Sequence, residues 1–508
     1  MRKCKIIFKD EMNAKVMGLD PKTASACEKR LSFLLPHRFH VAAYKLGRWD
    51  GTVKFFKKES GNTYISALEY VIDIIVNEGR YEIEFEDHRL PFVGEPLEAT
   101  TDMFSNYTWP EGHPIEGQPI TLREDQAESA NVFLQRRYGL MCLPTSYGKT
   151  ILSAAIAKSL EHMGRTIVIV PSTSLVTQTY DDFKNVGLDA GAIHAKSKEY
   201  DCHHTITTWQ SLLSIFKSGD IDVVNRLTRD LILVNVDECH QIKDTSKLKD
   251  FLSNYFHHVP YRLGLTGTVP KEDYLSMSIT SSLGNLIHRV PLSKMQELGF
   301  IAKCEVHNII TPEEYNFKNY HDEAAHLTKN SQRLQFIADS TEIIRETGNT
   351  LILINGIEAG KELHSLIPNS KFVYGKTAEK ERTKTYKGVN NEENTVVIAT
   401  FQVAAVGINI PRIFNLITIE PGKSFIRVVQ SIGRAIRIAK DKDFARIFDI
   451  SATSKFSKRH LMERKKYYQE MEYPYEVYDS DSYDKCIEQI AKITEGESIK
   501  KKRDEDDR

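Results

Sequence analysis

The sequence has no excess of charge of either sign and no long hydrophobic run. Its 508 residues contain 68 Lys and Arg against 69 Asp and Glu, so the formal net charge is -1. The chain therefore lacks the strongly basic balance common among nucleic-acid-binding proteins, although a local patch can still bind. No stretch approaches the about 20 apolar residues that span a bilayer. The start MRKCKIIFKD has a basic opening, but its apolar run is interrupted by Lys9 and Asp10, too early for a signal peptide. These absences predict a cytoplasmic protein without a membrane partner.

Cysteine is also scarce and scattered. The seven cysteines include no C-x-x-C pair, which argues against a zinc knuckle or a disulfide framework and favours a reducing compartment. The C-H-H run at 202–204 has no second cluster of ligands elsewhere in the sequence. We therefore expect no structural metal site there.

Short apolar runs rich in β-branched residues are present in the middle of the chain. They are RTIVIV (165–170), LILVNV (231–236), TLILIN (350–355) and NTVVIAT (394–400). Each is followed by polar or small residues, a pattern typical of parallel strands in an α/β fold. The runs fall into two blocks, at about 115–290 and 295–455. Ligands of such sheets bind at the carboxyl ends of the strands, so those ends are the first candidates for chemistry.

The segment LPTSYGKT (143–150) resembles a phosphate-binding loop with one irregularity. Gly148, Lys149 and Thr150 are present, but Leu143 stands where the usual pattern has glycine. In such a loop the backbone N–H groups surround the phosphates, the lysine contacts the β and γ groups, and the last hydroxyl holds Mg²⁺. Because a G-K-T tripeptide is common by chance, this segment alone leaves an ordinary loop open as the alternative.

Two further segments favour a bound triphosphate. LILVNVDECH ends a buried run with Asp237 and Glu238; the aspartate could hold Mg²⁺ through water and the glutamate could polarise the attacking water. QSIGRAIR (430–437) places Arg434 and Arg437 on one helix face, where guanidinium groups could stabilise charge on the γ-phosphate. Each pair alone is more often a feature of the surface, but together with the loop they predict ATP hydrolysis.

In order and spacing, these segments and LTGT (265–268) resemble motifs I, II, III and VI of the superfamily 2 helicases. The resemblance implies an α/β fold with two tandem RecA-like parallel-sheet domains and with ATP and Mg²⁺ as cofactors. LREDQ (122–126) resembles the adenine-recognition element of that family. The implied nucleotide contacts are Arg123, Gln126, Pro144, Thr145, Ser146, Tyr147, Gly148, Lys149, Thr150 and Gly407. The implied Mg²⁺ ligands are Thr150 and Asp237, the coupling residues are His240, Thr266 and Thr268, and the catalytic residues are Lys149, Asp237, Glu238, Gln430, Arg434 and Arg437.

Four other segments resemble the nucleic-acid-binding motifs of the same family. They are VPSTSLVTQ (170–178), TTWQSL (207–212), LILIN (351–355) and IATFQVAAVGINIP (398–411), with VYGKT (373–377) nearby. The implied DNA contacts are Pro171, Ser172, Thr173, Thr208, Trp209, Gln210, Asn355, Tyr374, Gly375 and Thr400. A role for Trp209 in the hydrophobic core remains an equal alternative. Asn409 stands where many relatives have aspartate, which leaves a carboxylate contact there in doubt.

The N-terminal segment YKLGRWDGTVKFF (44–56) resembles that of phage UvsW-type helicases, which act on forks, Holliday junctions and displacement loops. Gly47 and Gly51 permit a sharp hairpin, and lysines surround Arg48 and Trp49, so these two residues are candidate DNA contacts. A tryptophan buried under a structural turn is the alternative. The resemblance also implies a phage protein in the cytoplasm of a bacterial host, with recombination or single-strand-binding proteins as possible partners.

We therefore predict four segments. They are a small N-terminal α+β accessory domain at 1–110, a first RecA-like domain at 111–290, a second at 291–455, and a short helical C-terminal extension with a charged tail at 456–508. The basic helix of this extension could pack on the second domain, follow the DNA backbone or lie in solvent. The predicted function is that of an ATP-dependent DNA helicase or translocase that remodels branched DNA in phage recombination, repair and replication. An RNA-remodelling helicase and the motor subunit of a restriction or nuclease assembly remain alternatives.

Overall fold

The structure is a computed structural model. It describes residues 2–35, 38–78, 80–91, 94–111, 115–144, 147–194, 197–242, 247–270, 273–403, 410, 412–422, 442, 444–470 and 472–496. The chain divides into two compact units. The first consists of Met1–Leu143 and Gly148–Arg289, and the second of Pro144–Tyr147 and Val290–Arg508. None of the helices in the described ranges is long and apolar enough to cross a membrane.

The N-terminal part of the first unit is a small mixed sheet with helices on one side. Its strands are β1 (Arg2–Phe8), β2 (Asn13–Met17), β3 (Ser32–Leu34), β4 (Thr52–Lys54), β5 (Phe56–Lys57), β6 (Asn62–Tyr64) and β7 (Tyr81–Asp87), and its helices are α1 (Pro21–Arg30), α2 (Ala42–Lys45) and α3 (Leu68–Glu78). The main sheet has the order β5-β6-β2-β1-β7, and β3 and β4 form a separate two-stranded antiparallel sheet. Helix α1 begins at Pro21, because Asp20 accepts hydrogen bonds from the first-turn N–H groups and proline suits the first helical position.

The rest of the first unit is built on an eight-stranded sheet. Its strands are β8 (Tyr138–Cys142), β9 (Arg165–Ile169), β10 (Ala190–His194), β11 (Ser197–Lys198), β12 (His204–Thr207), β13 (Leu231–Val236), β14 (Tyr261–Thr266) and β15 (Leu286–Arg289). The order is β11-β10-β12-β9-β13-β14-β8-β15, and only β11 is antiparallel to its neighbour. The helices are α4 (Glu124–Arg136), α5 (Lys149–Leu160), α6 (Thr173–Asn185), α7 (Trp209–Ser218), α8 (Ile221–Thr228), α9 (Lys247–Tyr255) and α10 (Asp273–Leu283). Every residue of β9, β13 and β14 is buried, as expected for strands with both faces covered.

The second unit contains a seven-stranded parallel sheet. Its strands are β16 (Lys303–Thr311), β17 (Thr350–Ile354), β18 (Lys371–Val373), β19 (Val396–Thr400), β20 (Asn415–Ile419), β21 (Phe444–Ala452) and β22 (Tyr475–Asp479), in the order β18-β19-β17-β20-β21-β16-β22. The helices are α11 (Leu292–Glu297), α12 (Tyr320–Lys329), α13 (Ser331–Arg345), α14 (Ile357–Leu366), α15 (Glu379–Val389), α16 (Lys455–Glu470) and α17 (Tyr483–Thr494). The four predicted strands are thus confirmed as β9, β13, β17 and β19, and the predicted α/β fold with two parallel sheets is confirmed with them.

The C-terminal segment is part of the second unit's core. In helix α16, Arg464 is fully buried and donates two hydrogen bonds to the carboxylate of Asp449, at 2.8 and 2.9 Å. Strand β22 pairs in parallel with β16 at the sheet edge, and α17 buries Cys486, Ile490 and Ile493. Of the three alternatives for the basic helix, packing on the second domain is the one that the structure shows. The strand after the helix is an addition that the sequence did not predict.

The N-terminal sheet packs directly on the RecA-like part of the first unit. Met277 of α10 lies in the same buried cluster as the N-terminal core residues Ile6 and Phe56. The backbone N–H of Glu11 donates to the carbonyl of His257 at 3.0 Å. Phe104, within the predicted 1–110 segment, belongs to the buried cluster of the RecA-like sheet. A deletion of residues 1–110 would therefore expose apolar surface and remove part of that second core.

Candidate active site

The phosphate loop starts from a buried strand end. Leu143 follows β8 directly, is fully buried, and donates its backbone N–H to the carbonyl of Thr266 at 2.8 Å. A leucine at this position therefore prolongs the strand instead of weakening the loop. Gly148 then begins α5 with φ of +86°. Tyr147 is buried, whereas the predicted contacts Thr145 and Ser146 lie outside the described residues.

Gly148 is also the point where the adenine element meets the phosphate loop. A Cβ on Gly148 would lie 2.5 Å from Nε2 of Gln126. The Gln126 side chain is 3% exposed, and its Oε1 accepts a hydrogen bond from the backbone N–H of Arg123 at 3.0 Å. Arg123 in turn donates to the carboxylate of Asp125 at 2.9 and 3.1 Å. The start of α4 is thus fixed against the start of α5, which brings these predicted nucleotide contacts together.

We expect Gly148→Ala to impair nucleotide binding more than folding. The side chain would meet Gln126, and the left-handed backbone costs an L residue about 1–2 kcal/mol. Gly219→Ala is the matched control, because Gly219 has φ of +74° at a helix end and no atom within 4 Å of its added Cβ. Fluorescent ATP binding and thermal unfolding should show similar melting losses for both variants, but weaker ATP binding, by about tenfold or more, only for Gly148→Ala. Equal ATP affinities in the two variants would contradict this prediction.

Three charged groups meet beside the loop at the end of β13. Nζ of Lys149 lies 3.3 Å from Oε1 of Glu238. Burial by itself lowers the pKa of Lys149, but the carboxylates of Glu238 and Asp237 more than offset this effect and raise it. Burial likewise favours a higher pKa for Glu238, yet Lys149 and His240 bring it down to about 2. Glu238 is therefore an ionised carboxylate held next to an ammonium group.

The pKa of Asp237 shifts in the opposite direction. Burial raises its pKa to about 6, despite the attraction of Lys149. Its Oδ1 is buried and has no hydrogen-bond partner among the described residues. Such an orphaned oxygen fits a position next to a hydrated cation. Thr150 lies in the first turn of α5, so the residues present suit the Mg²⁺ that phosphate loops use. In the described part of the chain no group of three or more His, Cys, Asp and Glu could hold a metal.

A hydrogen-bonded chain runs from Glu238 to the end of β14. Nδ1 of His240 lies 3.2 Å from Oε2 of Glu238 and 3.1 Å from Oγ1 of Thr266. The Thr266 hydroxyl donates to the carbonyl of Thr268 at 2.7 Å and accepts from the backbone N–H of Thr268 at 3.2 Å. Since that hydroxyl proton is already used and a carboxylate can only accept, Nδ1 of His240 must carry a proton. The predicted base and the predicted coupling residues are therefore in direct contact.

One residue next to this site was missed by the sequence analysis. Asn235 is a buried polar residue within the apolar strand β13, and its Nδ2 donates to Oγ of Ser153 at 2.8 Å. Ser153 donates in turn to the carbonyl of Lys149 at 2.9 Å. Asn235 thus fixes the first turn of α5 against β13. A single amide among the aliphatic residues of LILVNV was the available signal.

The predicted DNA contacts of the first unit lie at helix starts. Ser172 and Thr208 are the N-caps of α6 and α7, and their side-chain oxygens accept from backbone N–H groups at 3.4 and 3.3 Å. Both helices follow strands of the parallel sheet, so these caps lie on the strand-end edge that also carries the phosphate loop. Trp209 packs against the hydrophobic core and is half-buried, which favours the core alternative. Around the caps, Pro171 is half-buried, and Thr173 and Gln210 are exposed.

In the second unit the predicted contacts are spread over three strand ends. Asn355 donates from Nδ2 to the carbonyl of Glu420 at 2.8 Å. The ring of Tyr374 stacks on Phe372 at 5.1 Å between centroids, Gly375 is exposed, and Thr400 is buried at the end of β19. The predicted positions Gly407, Gln430, Arg434 and Arg437 lie outside the described residues, as does the departure at Asn409.

The N-terminal glycine pair lies between α2 and β4, so this described segment passes from a helix into a strand and does not form the predicted hairpin. Gly47 and Gly51 have φ of +66° and +80°. Nε1 of Trp49 donates to the carbonyl of Thr52 at 2.8 Å, and the half-buried ring meets Tyr44 edge to face at 6.4 Å. Arg48 is exposed. Trp49 thus supports the turn, and a DNA contact through either residue stays a prediction.

Comparisons with known proteins agree with this geometry. Residues 119–271 match the family model described as type III restriction enzyme, res subunit, and residues 333–439 match the helicase conserved C-terminal domain. The ATP-dependent DNA helicase uvsW of Enterobacteria phage T4 is 24% identical over 66% of this chain and 69% of its own length. The DNA 3'-5' helicase XPB of Kineococcus radiotolerans is 23% identical over 72% of this chain and 65% of its own length.

The fold has solved counterparts as well. The structure of S. cerevisiae Dbp5 bound to RNA and ADP BeF3 superposes with a TM-score of 0.52 at 14% identity, covering 74% of this chain and 94% of that one. At this identity the likeness concerns the fold alone. The motifs, the two parallel sheets and the two family matches have one common explanation: the chain belongs to the superfamily 2 helicases, ATP-driven enzymes whose motifs are carried by two RecA-like domains.

Proposed function

We propose that this protein is an ATP-dependent DNA helicase or translocase that remodels branched DNA, including forks, Holliday junctions and D-loops, in phage recombination, repair and replication. The observation that carries the proposal is the chain from Lys149 through Glu238 and His240 to Thr266. It connects the group that would activate water to the strand end that the family uses to sense nucleic acid. DNA as the substrate is supported by the two relatives named as DNA helicases.

The side chains suggest how hydrolysis would proceed. Lys149 now pairs with Glu238, and a bound γ-phosphate would attract this ammonium group away from the carboxylate. Glu238 would then lose its strongest neutralising partner, and its pKa would rise towards the value suited to accepting a proton from water. Thr150 and Asp237 would hold Mg²⁺, which supplies positive charge beside the phosphates. The arginines of QSIGRAIR would stabilise charge from the second domain.

His240 and Thr266 would pass the state of Glu238 to the DNA-binding surface. Because His240 donates a single Nδ1 proton shared between Glu238 and Thr266, any movement of the carboxylate changes the hydrogen bond to the threonine. Thr266 fixes Thr268 through two hydrogen bonds. This arrangement supports a coupling role for the three residues, through which hydrolysis would shift the grip on DNA.

Preference for branched DNA is supported by the N-terminal surface between β3 and the end of α2. Three large apolar side chains, Leu34, Phe39 and Leu46, are each more than half exposed there. Arg38 stacks on Phe39 at 4.4 Å, and Arg48 is exposed close by. Apolar side chains flanked by cations suit DNA in which bases are unstacked, as at a junction. The resemblance of residues 44–56 to phage UvsW-type helicases, which act on forks and junctions, is a second argument for this preference.

The proposal is tested by ATP-dependent branch migration of a synthetic fork and a four-way junction, beside linear duplex and an RNA duplex. We expect Thr266→Val to reduce junction remodelling by about tenfold or more while it spares ATP binding, because one buried network is broken. Thr166→Val is the matched control, since the Thr166 hydroxyl is buried without a partner in the described structure. Preference for RNA, or cutting of DNA with ATP and Mg²⁺, would instead favour the alternatives.

A further inference from the structure

A cavity in the N-terminal sheet has the charge of an anion-binding site. It has a volume of about 320 Å³ and is lined by residues of β2, β4, β5 and β6 and the turn before β2. Three lysines contribute to its wall: Lys9, Lys54 and Lys57. Its volume lies at the lower end of the range for ligand pockets, about 300–1,000 Å³. It is therefore large enough for one nucleotide unit of a bound strand.

The lysines are only partly neutralised by their neighbours. Nζ of Lys9 donates to the neutral amide of Asn62 at 2.8 Å, and Nζ of Lys54 lies 3.1 Å from Glu28. Lys57 has no side-chain partner among the residues that the structure describes, and all three lysines are exposed. Two of the three ammonium groups thus remain without a carboxylate partner, which leaves positive charge for an incoming anion.

The one carboxylate in the wall is already occupied. Oδ1 of Asp10 accepts from the backbone N–H groups of Met12 and Asn13 at 2.8 and 2.7 Å, and from Nδ2 of Asn13 at 3.0 Å. Oδ2 lies 3.2 Å from Nδ1 of His257. These hydrogen bonds hold the turn before β2, and with three lysines against this one carboxylate the wall keeps a net positive charge.

A fourth lysine stands behind the aromatic wall. Lys249 of α9 is 8% exposed, and its Nζ lies 4.8 Å from the ring centroid of Phe55 and 5.9 Å from that of Tyr64. Both rings line the cavity. Helix α9 follows Glu238 and His240 in the chain. An anion bound in the cavity would therefore lie where the N-terminal sheet contacts α9, the helix that follows the catalytic residues in the chain.

We propose that this cavity binds a backbone phosphate of the DNA substrate, through Lys9 and Lys57, with Tyr64 against the adjoining sugar or base. This inference rests on the proposed function and adds a DNA contact separate from the Arg48–Trp49 turn. Phosphate contacts fix the register of a protein on DNA without reading sequence. The cavity would hold the DNA at the junction of the N-terminal sheet and the first RecA-like sheet.

The test is equilibrium binding of a fluorescein-labelled fork to the full-length protein at several salt concentrations. Lys9→Ala with Lys57→Ala should weaken binding by about tenfold at low salt and lower the slope of log affinity against log salt by about 1–2. Lys9→Arg with Lys57→Arg should keep the wild-type slope. The matched control is Lys3→Ala with Lys5→Ala, because these lysines of β1 are already paired with Glu84 and Glu86 at 2.6 and 2.9 Å. The control should bind as the wild type does.

The outcomes separate this inference from the proposed function. If the wild type binds the fork with a strong salt dependence and the Lys9 and Lys57 alanine variant does the same, the cavity is not a phosphate site and the helicase proposal stands. An equal loss in the Lys3 and Lys5 control would also overturn the inference, since any lysine would then serve. If the wild type shows no DNA binding, the proposed function and this inference both fall. Basal ATPase without DNA should be unchanged in all variants, because none of these lysines belongs to the ATP site.

Discussion

Glu238→Gln should reduce ATP hydrolysis by at least about 100-fold while the protein still binds ATP, because loss of a general base typically costs 10²–10⁴ in rate. The substitution keeps the shape of the side chain and its contact with His240 but removes the charge that pairs with Lys149. Steady-state ATPase with and without DNA, together with fluorescent ATP binding, measures both effects. Since the pKa of Glu238 in the nucleotide-free protein is about 2, the wild-type carboxylate that first meets ATP is ionised across pH 5–8.

Glu128→Gln is the matched control for this prediction. Glu128 is an exposed residue of α4 in the same unit, so its charge should not affect the rate. A variant Glu238→Gln with full DNA-stimulated ATPase would remove Glu238 from catalysis and leave Asp237 or a group from the second domain as the base. A loss of both ATP binding and hydrolysis would mean that Glu238 mainly holds the apo site together.

Arg464→Met should destabilise the second unit by about 3–5 kcal/mol, the usual cost of leaving one buried charge without its partner. Arg464 and Asp449 are both fully buried. Burial by itself lowers the pKa of Arg464, but the carboxylate of Asp449 more than offsets this and raises it. Nη1 of Arg464 also donates to the carbonyl of Gly422 at 2.7 Å, a hydrogen bond that methionine cannot make. Urea unfolding followed by circular dichroism measures the loss.

The double variant Arg464→Met with Asp449→Asn distinguishes a charge effect from a packing effect. It removes both charges and keeps an oxygen that can accept from the Tyr468 hydroxyl, now 2.8 Å from Asp449. We expect it to recover at least half of the lost stability, since an ion pair is often replaceable as a pair. Lys466→Met, on the exposed side of the same helix and paired with Glu463 at the surface, should change little. If the double variant were as unstable as Arg464→Met, packing would be the cause.

The parts of the fold that the sequence predicts are those with local signals. β9, β13, β17 and β19 are continuous aliphatic runs because both faces of each strand are buried. β22, with the sequence YEVYD, has no such signal, since an edge strand is half-exposed and alternates in polarity. Its partner β16 lies about 170 residues earlier in the chain. No local sequence pattern signals a pairing across such a separation. From the sequence, therefore, only helices were predicted for the C-terminal segment.

In the candidate site, too, some features have a local sequence signal and others depend on tertiary contacts. Gly148, Lys149, Thr150 and the Asp237–Glu238 pair are visible as short motifs, and the structure brings Lys149 and Glu238 together across 89 residues of sequence. The protonated Nδ1 of His240 and the orphaned Oδ1 of Asp237 depend on distances of a few ångströms, which no spacing encodes. Trp49 and Trp209 illustrate the converse. Each has the residue type of a stacking platform, but the ring position depends on neighbours that come from tertiary packing.

The parallel edge strand β22 and helix α17 have a consequence for how this protein is made. Every motif of the family precedes residue 440, yet the sheet that carries the later motifs is completed by residues 475–479 and covered by Ile490 and Ile493. A nascent chain on the ribosome therefore contains all its catalytic sequences well before the core that supports half of them can close. Premature termination in this last stretch would yield a chain with a full set of motifs and an open apolar face. We expect such a chain to be a substrate for chaperones and proteases.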